Sequence, residues 1–302
     1  MLKHRIIFGL LFSALFVALI FLDSYLSNGW PTTLQRTPPG LVFALTCSLV
    51  IPLGIFEMRS LLAQQNIRIS LTIVGLASLL CMLWPWLEQV AELAPNSQFQ
   101  SLTLWFRTVK PHYLIPTVLT AALVAAFGFH SRHQRVEGAM ASAGATLMAI
   151  VYLGVLPGFF LPICLTHSAW MVLAIVCIVK AADVGAYFTG RSIGQHKLIP
   201  WLSPGKTIEG FIGGLVLAGL IGALTANFFT FFTWPQGLIA GIVLGAVGQL
   251  GDLLESLLKR DAGVKDSGKL PGFGGILDLL DSPLLAAPAA YWLLKLLTRA
   301  PA

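Results

Sequence analysis

Apolar residues dominate nine stretches of this chain, 6–22, 41–56, 67–87, 112–129, 139–161, 169–188, 208–230, 237–255 and 275–297, with short polar segments between them. A transmembrane helix needs about 20 such residues. The pattern therefore predicts an all-α polytopic membrane protein of about nine spans. The second and fourth runs are short, and the fifth contains Pro157. The first follows MLKHR and has the outline of a signal peptide, but it runs on into Asp23-Ser24-Tyr25-Leu26 with no small-residue cleavage site. It reads as a retained first span.

Composition narrows the class. The 302 residues are 56% hydrophobic and 11% charged, with a mean hydropathy of +0.81. Soluble domains carry roughly a quarter charged residues, so too little polar surface exists here to cover a water-soluble core. The net charge of +6 is dispersed among short loops and does not point to nucleic acid. Cys47, Cys81, Cys164 and Cys177 lie within apolar runs without metal-ligand spacing, and read as small packing residues.

Loop charge predicts orientation. With the N-terminus in the cytosol, inside segments hold thirteen of the nineteen Lys and Arg residues, outside segments hold five, and Lys180 lies within a span. That count favours a cytosolic N-terminus and an external C-terminus, with cytosolic loops at 189–207 and 259–274, and the expected location is a bacterial-type inner membrane. The expected division is 1–168, a region of packing or dimerisation helices compatible with a homodimer, and 169–302, a region that carries the chemistry.

Eight of the thirteen acidic residues fall between Asp183 and Asp281. Ionisable groups at membrane depth or its edge mark a functional region. Lys180 and Asp183 are three apart on one helix face. Gln249, Asp252, Ser256 and Lys259 form a polar stripe on span eight, and Asp278, Asp281 and Ser282 do the same on span nine. Desolvating each carboxylate costs several kcal/mol, so each needs a cation beside it. Lys or Arg would serve, and so would Mg²⁺, which takes one or two carboxylates plus substrate phosphates. Asp252 and Asp278 suit that second role.

The segment SPGKTIEG, Ser203 to Gly210, lacks the first glycine of a P-loop, having Pro200 there, and no strand is predicted ahead of it. Ser203-Pro204-Gly205 is expected to break the chain, and Lys206 and Thr207 to open a helix whose free N–H groups favour anions. In spans seven and eight, Gly210, Gly214, Ala218 and Gly222, then Gly237, Gly241 and Gly245, recur every four residues, the pattern of tight helix packing.

Two blocks, KAADVGAYFTGRSIGQHKLIPWLSPGKTIEGFIGG (Lys180 to Gly214) and QLGDLLESLLKRDAGVKDSGKLPGFGGILDLLDS (Gln249 to Ser282), resemble the phosphatidate cytidylyltransferases, or CDP-diacylglycerol synthases. The second follows that family's signature, roughly S-x-x-K-R-x4-K-D-S-G…P-G-H-G-G-x-L-D-R-x-D. Phe273 replaces its His, Leu279 replaces its Arg, and the stretch before Pro271 is one residue short, while Lys269 adds a cation nearby. The resemblance implies a membrane enzyme that joins CTP to phosphatidate with Mg²⁺, alone or with a second cation. It implies metal ligands Asp252 and Asp278, catalytic cations Lys259, Arg260 and Lys265, and substrate contacts from Ser203, Lys206, Thr207, Glu209, Asp183, Asp266 and Asp281. His196 reads as a loop residue. Three other readings remain open: an ion-coupled transporter, which also uses intramembrane acids, a CTP-dependent lipid kinase of the polyprenol type, and an inactive scaffold, suggested by Phe273 and Leu279.

Overall fold

A computed structural model describes residues 2–28, 37–93, 108–132, 136–229, 232–268 and 274–297. Helices occupy all nine predicted runs: α1 Leu2–Ser27, α2 Leu41–Gln64, α3 Leu71–Leu93, α4 Pro111–Ser131, α5 Ala139–Thr166, α6 Ala169–Ile193, α7 Ile208–Thr225, α8 Trp234–Asp261 and α9 Ile276–Leu297. The protein is an all-α polytopic membrane protein. Among the described residues, eight of these helices are long and apolar enough to cross a bilayer. The remaining one, α9, has 22 residues and carries Asp278, Asp281 and Lys295 among its apolar ones.

Several helices outrun their apolar stretches. α2 continues through Glu57 and Arg59 to Gln64, and α8 continues to Asp261. Leu, Glu, Lys and Arg are all good helix formers, so the backbone has no reason to stop where hydrophobicity does. α5 contains a π-helical turn at Val151–Val155, two residues before Pro157. Proline has no N–H for the carbonyl four residues back, and the wider turn absorbs that mismatch.

One local expectation was wrong. Lys206 and Thr207 do not open a helix. Ser203–Thr207 is a strand, β2, paired antiparallel with β1 at Lys197–Ile199, with Lys197 opposite Thr207 and Ile199 opposite Ser203. A strand therefore does precede the SPGK segment, although Pro200 still excludes a P-loop. Pro204 has no N–H and disfavours helix, yet is tolerated at an edge. Thr207 ends the hairpin and caps α7, its hydroxyl accepting the Gly210 N–H at 3.1 Å.

The described chain forms two compact units. The first comprises Met1–Trp170 with Ser267–Ile276 and holds α1 to α5. There α3 packs on α2, α4 and α5, and Gly154 and Gly158 of α5 lie against the backbone of Ser78 and Met82 of α3. Asp23 is a buried acid of α1. Its carboxylate accepts the N–H groups of Gly40 and Val42, each at 2.8 Å, and so caps α2 from outside. Asp23→Ala is expected to cost about 1–2 kcal/mol, the value of a lost cap, and to lower the unfolding midpoint in detergent.

The second unit comprises Met171–Asp266 with Leu277–Ala302 and holds the rest. The four-residue glycine spacing does what it predicts. Gly222 faces Gly237 and Gly241, and Gly241 faces the Ala218 carbonyl, so the α7 and α8 backbones touch. Gly241→Val would drive a branched side chain into that carbonyl. We expect a loss of about 1–3 kcal/mol, read as a lower midpoint of thermal unfolding in detergent. α8 also meets α6, with Gly248 against Val179, and α9, with Gly251 against the Asp281 carbonyl. That central place allows one polar stripe on α8 to meet charges from its neighbours.

Candidate active site

Three lysines organise the second unit. Lys206, on β2, pairs with Asp252 of α8 at 2.7 Å. Lys180, on α6, pairs with Asp183 at 3.2 Å and with Asp281 of α9 at 3.6 Å. Lys259, near the end of α8, pairs with Glu255 one turn back and with Asp278 of α9. These groups form one electrostatic network. Asp252, Glu255 and Lys259 share one face of α8, which meets Lys206 of the hairpin on one side and Asp278 of α9 on the other, while Lys180 joins α6 to α9 through Asp281.

Burial grades across the network. Asp252, Asp183 and Lys206 are about a third to a quarter exposed, whereas Asp281 is 8% and Glu255 1% exposed. The outer members can reach a polar ligand and the inner members hold them in place. Five carboxylates share three lysines, a formal excess of two negative charges. Hard oxygen donors with that excess fit Mg²⁺. Among the described residues no three His, Cys, Asp or Glu side chains gather as a metal cage, but Mg²⁺ bound through one or two carboxylates and phosphates needs none.

Asp252 and Asp278 both belong to the network, though different lysines hold them. Asp252 has a second, long contact from the Ser256 hydroxyl at 3.5 Å. Asp281 also accepts the Ser282 N–H and hydroxyl, at 2.5 and 3.1 Å. Arg260 is exposed and donates to the Val264 carbonyl at 3.1 Å, bracing the turn after α8. Lys265 and Asp266 follow it, exposed and outside the ion-paired network. Ser203 begins β2 opposite Ile199, and Thr207 spends its hydroxyl on the α7 cap.

Glu209 serves the hairpin. Its carboxylate accepts the Gln195 and His196 N–H groups at 3.1 and 3.2 Å and meets His196 Nδ1 at 2.6 Å. This tie accounts for His196 without any role in chemistry. Lys269 and Phe273 lie outside the described residues, and Leu279 is half-buried on α9.

Sequence reasoning left Glu255 and Lys180 out of the site. For Glu255 a signal was present, since its spacing of four from Lys259 places the two on one helix face. Lys180 was paired correctly with Asp183, but its second partner, Asp281, lies about 100 residues away on another helix, and only the fold brings it near.

A model of the Cytidylyltransferase family matches residues 3–297. The chain belongs to that family. It is 35% identical over 249 residues to a phosphatidate cytidylyltransferase of Synechocystis, an alignment covering 69% of this chain and 80% of that protein. Phosphatidate cytidylyltransferases of Chlamydia pneumoniae and Staphylococcus aureus are 38% and 45% identical over 168 and 151 residues. Those two alignments cover 51% and 48% of this chain, and the chain spans about half the length of these relatives, 54% and 56%. The family match runs from α1 to α9, so α1 to α5, which carry no readable motif, belong to the family architecture as well.

Proposed function

We propose that this protein transfers a cytidylyl group from CTP to phosphatidate, producing CDP-diacylglycerol and pyrophosphate for phospholipid biosynthesis. The observation that carries this reading is the carboxylate–lysine network on α6, α8 and α9, inside a chain of the cytidylyltransferase family. A phosphate oxygen of phosphatidate attacks the α-phosphorus of CTP. The bond from that phosphorus to the oxygen bridging toward the β-phosphate breaks, and pyrophosphate leaves with the electron pair.

The nucleophile is a phosphate monoester whose second pKa is about 6, so it is already largely ionised near neutrality. No general base is needed, and the network offers none that is free of a lysine. What the reaction does need is two anions held in line and charge stabilisation as pyrophosphate departs. Lys206 and Lys259 are the cations closest to the acidic groups, and Lys180, Arg260 and Lys265 extend that positive field. Asp252 and Asp278, supported by Asp281, would hold Mg²⁺. When bound, that ion neutralises triphosphate oxygens and the developing charge on the leaving group.

The excess of cations in the segments on the side of the hairpin supports an active site facing the cytosol of a bacterial inner membrane. The lipid's acyl chains would then remain in the bilayer while CTP arrives from water. CTP labelled at the α- or γ-phosphate tests the reading with protein and phosphatidate in mixed micelles. The α label is expected in the lipid phase and the γ label in pyrophosphate. A γ label in the lipid would instead indicate phosphoryl transfer, and substrate uptake into vesicles without CTP turnover would indicate a transporter.

A further inference from the structure

Glu57 is the one acid of α2, far in sequence from the carboxylate network. Its side chain reaches a segment 219 residues away. Oε1 accepts the N–H of Ile276, the first residue of α9, at 2.8 Å, and Oε2 accepts the Ser267 hydroxyl at 3.1 Å. The carboxylate is tightly enclosed, since a Cβ on either Gly268 or Gly275 would stand only 2.5 Å from one of its oxygens. Gly274 has φ +86°, and Ser267 is 6% exposed. One carboxylate thus holds both ends of the stretch from Ser267 to Ile276.

Two acceptor oxygens allow one side chain to hold two separate donors, here a backbone N–H and a hydroxyl. A negative charge also suits the unsatisfied N–H groups and positive dipole at the start of a helix. Helices are commonly capped from within their own sequence. Here the cap comes from α2, so the place where α9 begins depends on a residue of the N-terminal half. The first turn of α9 carries Asp278.

We infer that Glu57 is a positioning residue for cytidylyl transfer, fixing the start of α9 and so the place of Asp278. This inference rests on the proposed function for its kinetic half only. Hydrogen exchange on the full chain in nanodiscs tests the anchor independently of activity. Glu57→Ala is expected to speed exchange of peptides covering Ile276–Ser282 about tenfold, the size of one charge-assisted hydrogen bond. It is also expected to lower kcat roughly tenfold or more through misplacement of a reacting group, with KM for CTP little changed. Glu57→Gln keeps an oxygen for Ile276 and an amide for Ser267, and is expected to restore most of both.

Unchanged exchange in Glu57→Ala would overturn the anchor, and faster exchange with wild-type kcat would overturn the positioning role. If Glu57→Ala does not fold, Ser267→Ala and Ile276→Pro each remove one donor, and proline is accepted at a helix start. Both are then expected to speed exchange and lower kcat, and wild-type behaviour in both would overturn the inference. A wild-type protein that transfers no cytidylyl group would sink the proposed function while leaving the exchange result to judge the anchor.

Discussion

Asp252→Asn is expected to cut CDP-diacylglycerol formation by about 10²–10³-fold, the usual cost of losing one group that stabilises developing charge. The same change at Asp278 is expected to have a similar effect. Asn preserves the shape of the side chain and removes one negative charge. Because five carboxylates share three lysines, the loss of one carboxylate relieves repulsion and lowers the formal excess of negative charge from two to one. The folded protein should therefore survive, with an unfolding midpoint close to that of the wild type. Label transfer and thermal unfolding, measured on the same preparation, separate lost chemistry from lost fold. A variant that keeps wild-type turnover would remove Asp252 from the mechanism.

Lys259→Met is expected to act in the opposite way, through stability first. Lys259 is 12% exposed, and its partners Asp278 and Glu255 are 12% and 1% exposed. Removing it leaves two carboxylates buried without their shared cation. Breaking a buried ion pair from one side typically costs about 3–5 kcal/mol. The energetic penalty comes from the stranded charges, so adding Glu255→Met to Lys259→Met should recover much of the stability. Activity should stay low in the double variant, since the cation facing Asp278 is still absent. A single variant as stable as the wild type would mean that water already screens Glu255, contrary to its burial.

The membrane architecture was legible because lipid imposes a length on every apolar run, and all nine runs are helices at the expected places. Helix ends were less legible. Lipid sets how much of a helix must be apolar, whereas Glu57, Arg59 and Lys259 continue helical backbone beyond it without penalty. The β1–β2 hairpin escaped notice because strands of three and five residues are too short to show a period, and Pro204 masks the second.

Within the site, Lys180 with Asp183 and the stripe on α8 were readable from spacing along a single helix. Asp23 and Glu57 were not. Each is a lone acid just past an apolar run, and its partners, backbone N–H groups for both and the Ser267 hydroxyl for Glu57, are supplied only by tertiary structure. The Glu209–His196 tie was hidden for the same reason: thirteen residues and a chain reversal separate the two groups. Residue type marked the chemistry, while the division between structural and reacting acids had to wait for geometry.

The most direct test of the account is CTP binding to the purified protein in nanodiscs, measured by titration calorimetry with and without Mg²⁺. Binding that requires Mg²⁺ in the wild type, and disappears in the Asp252→Asn, Asp278→Asn double variant, is the predicted result. Full-affinity CTP binding by the double variant, or binding indifferent to Mg²⁺, would contradict it.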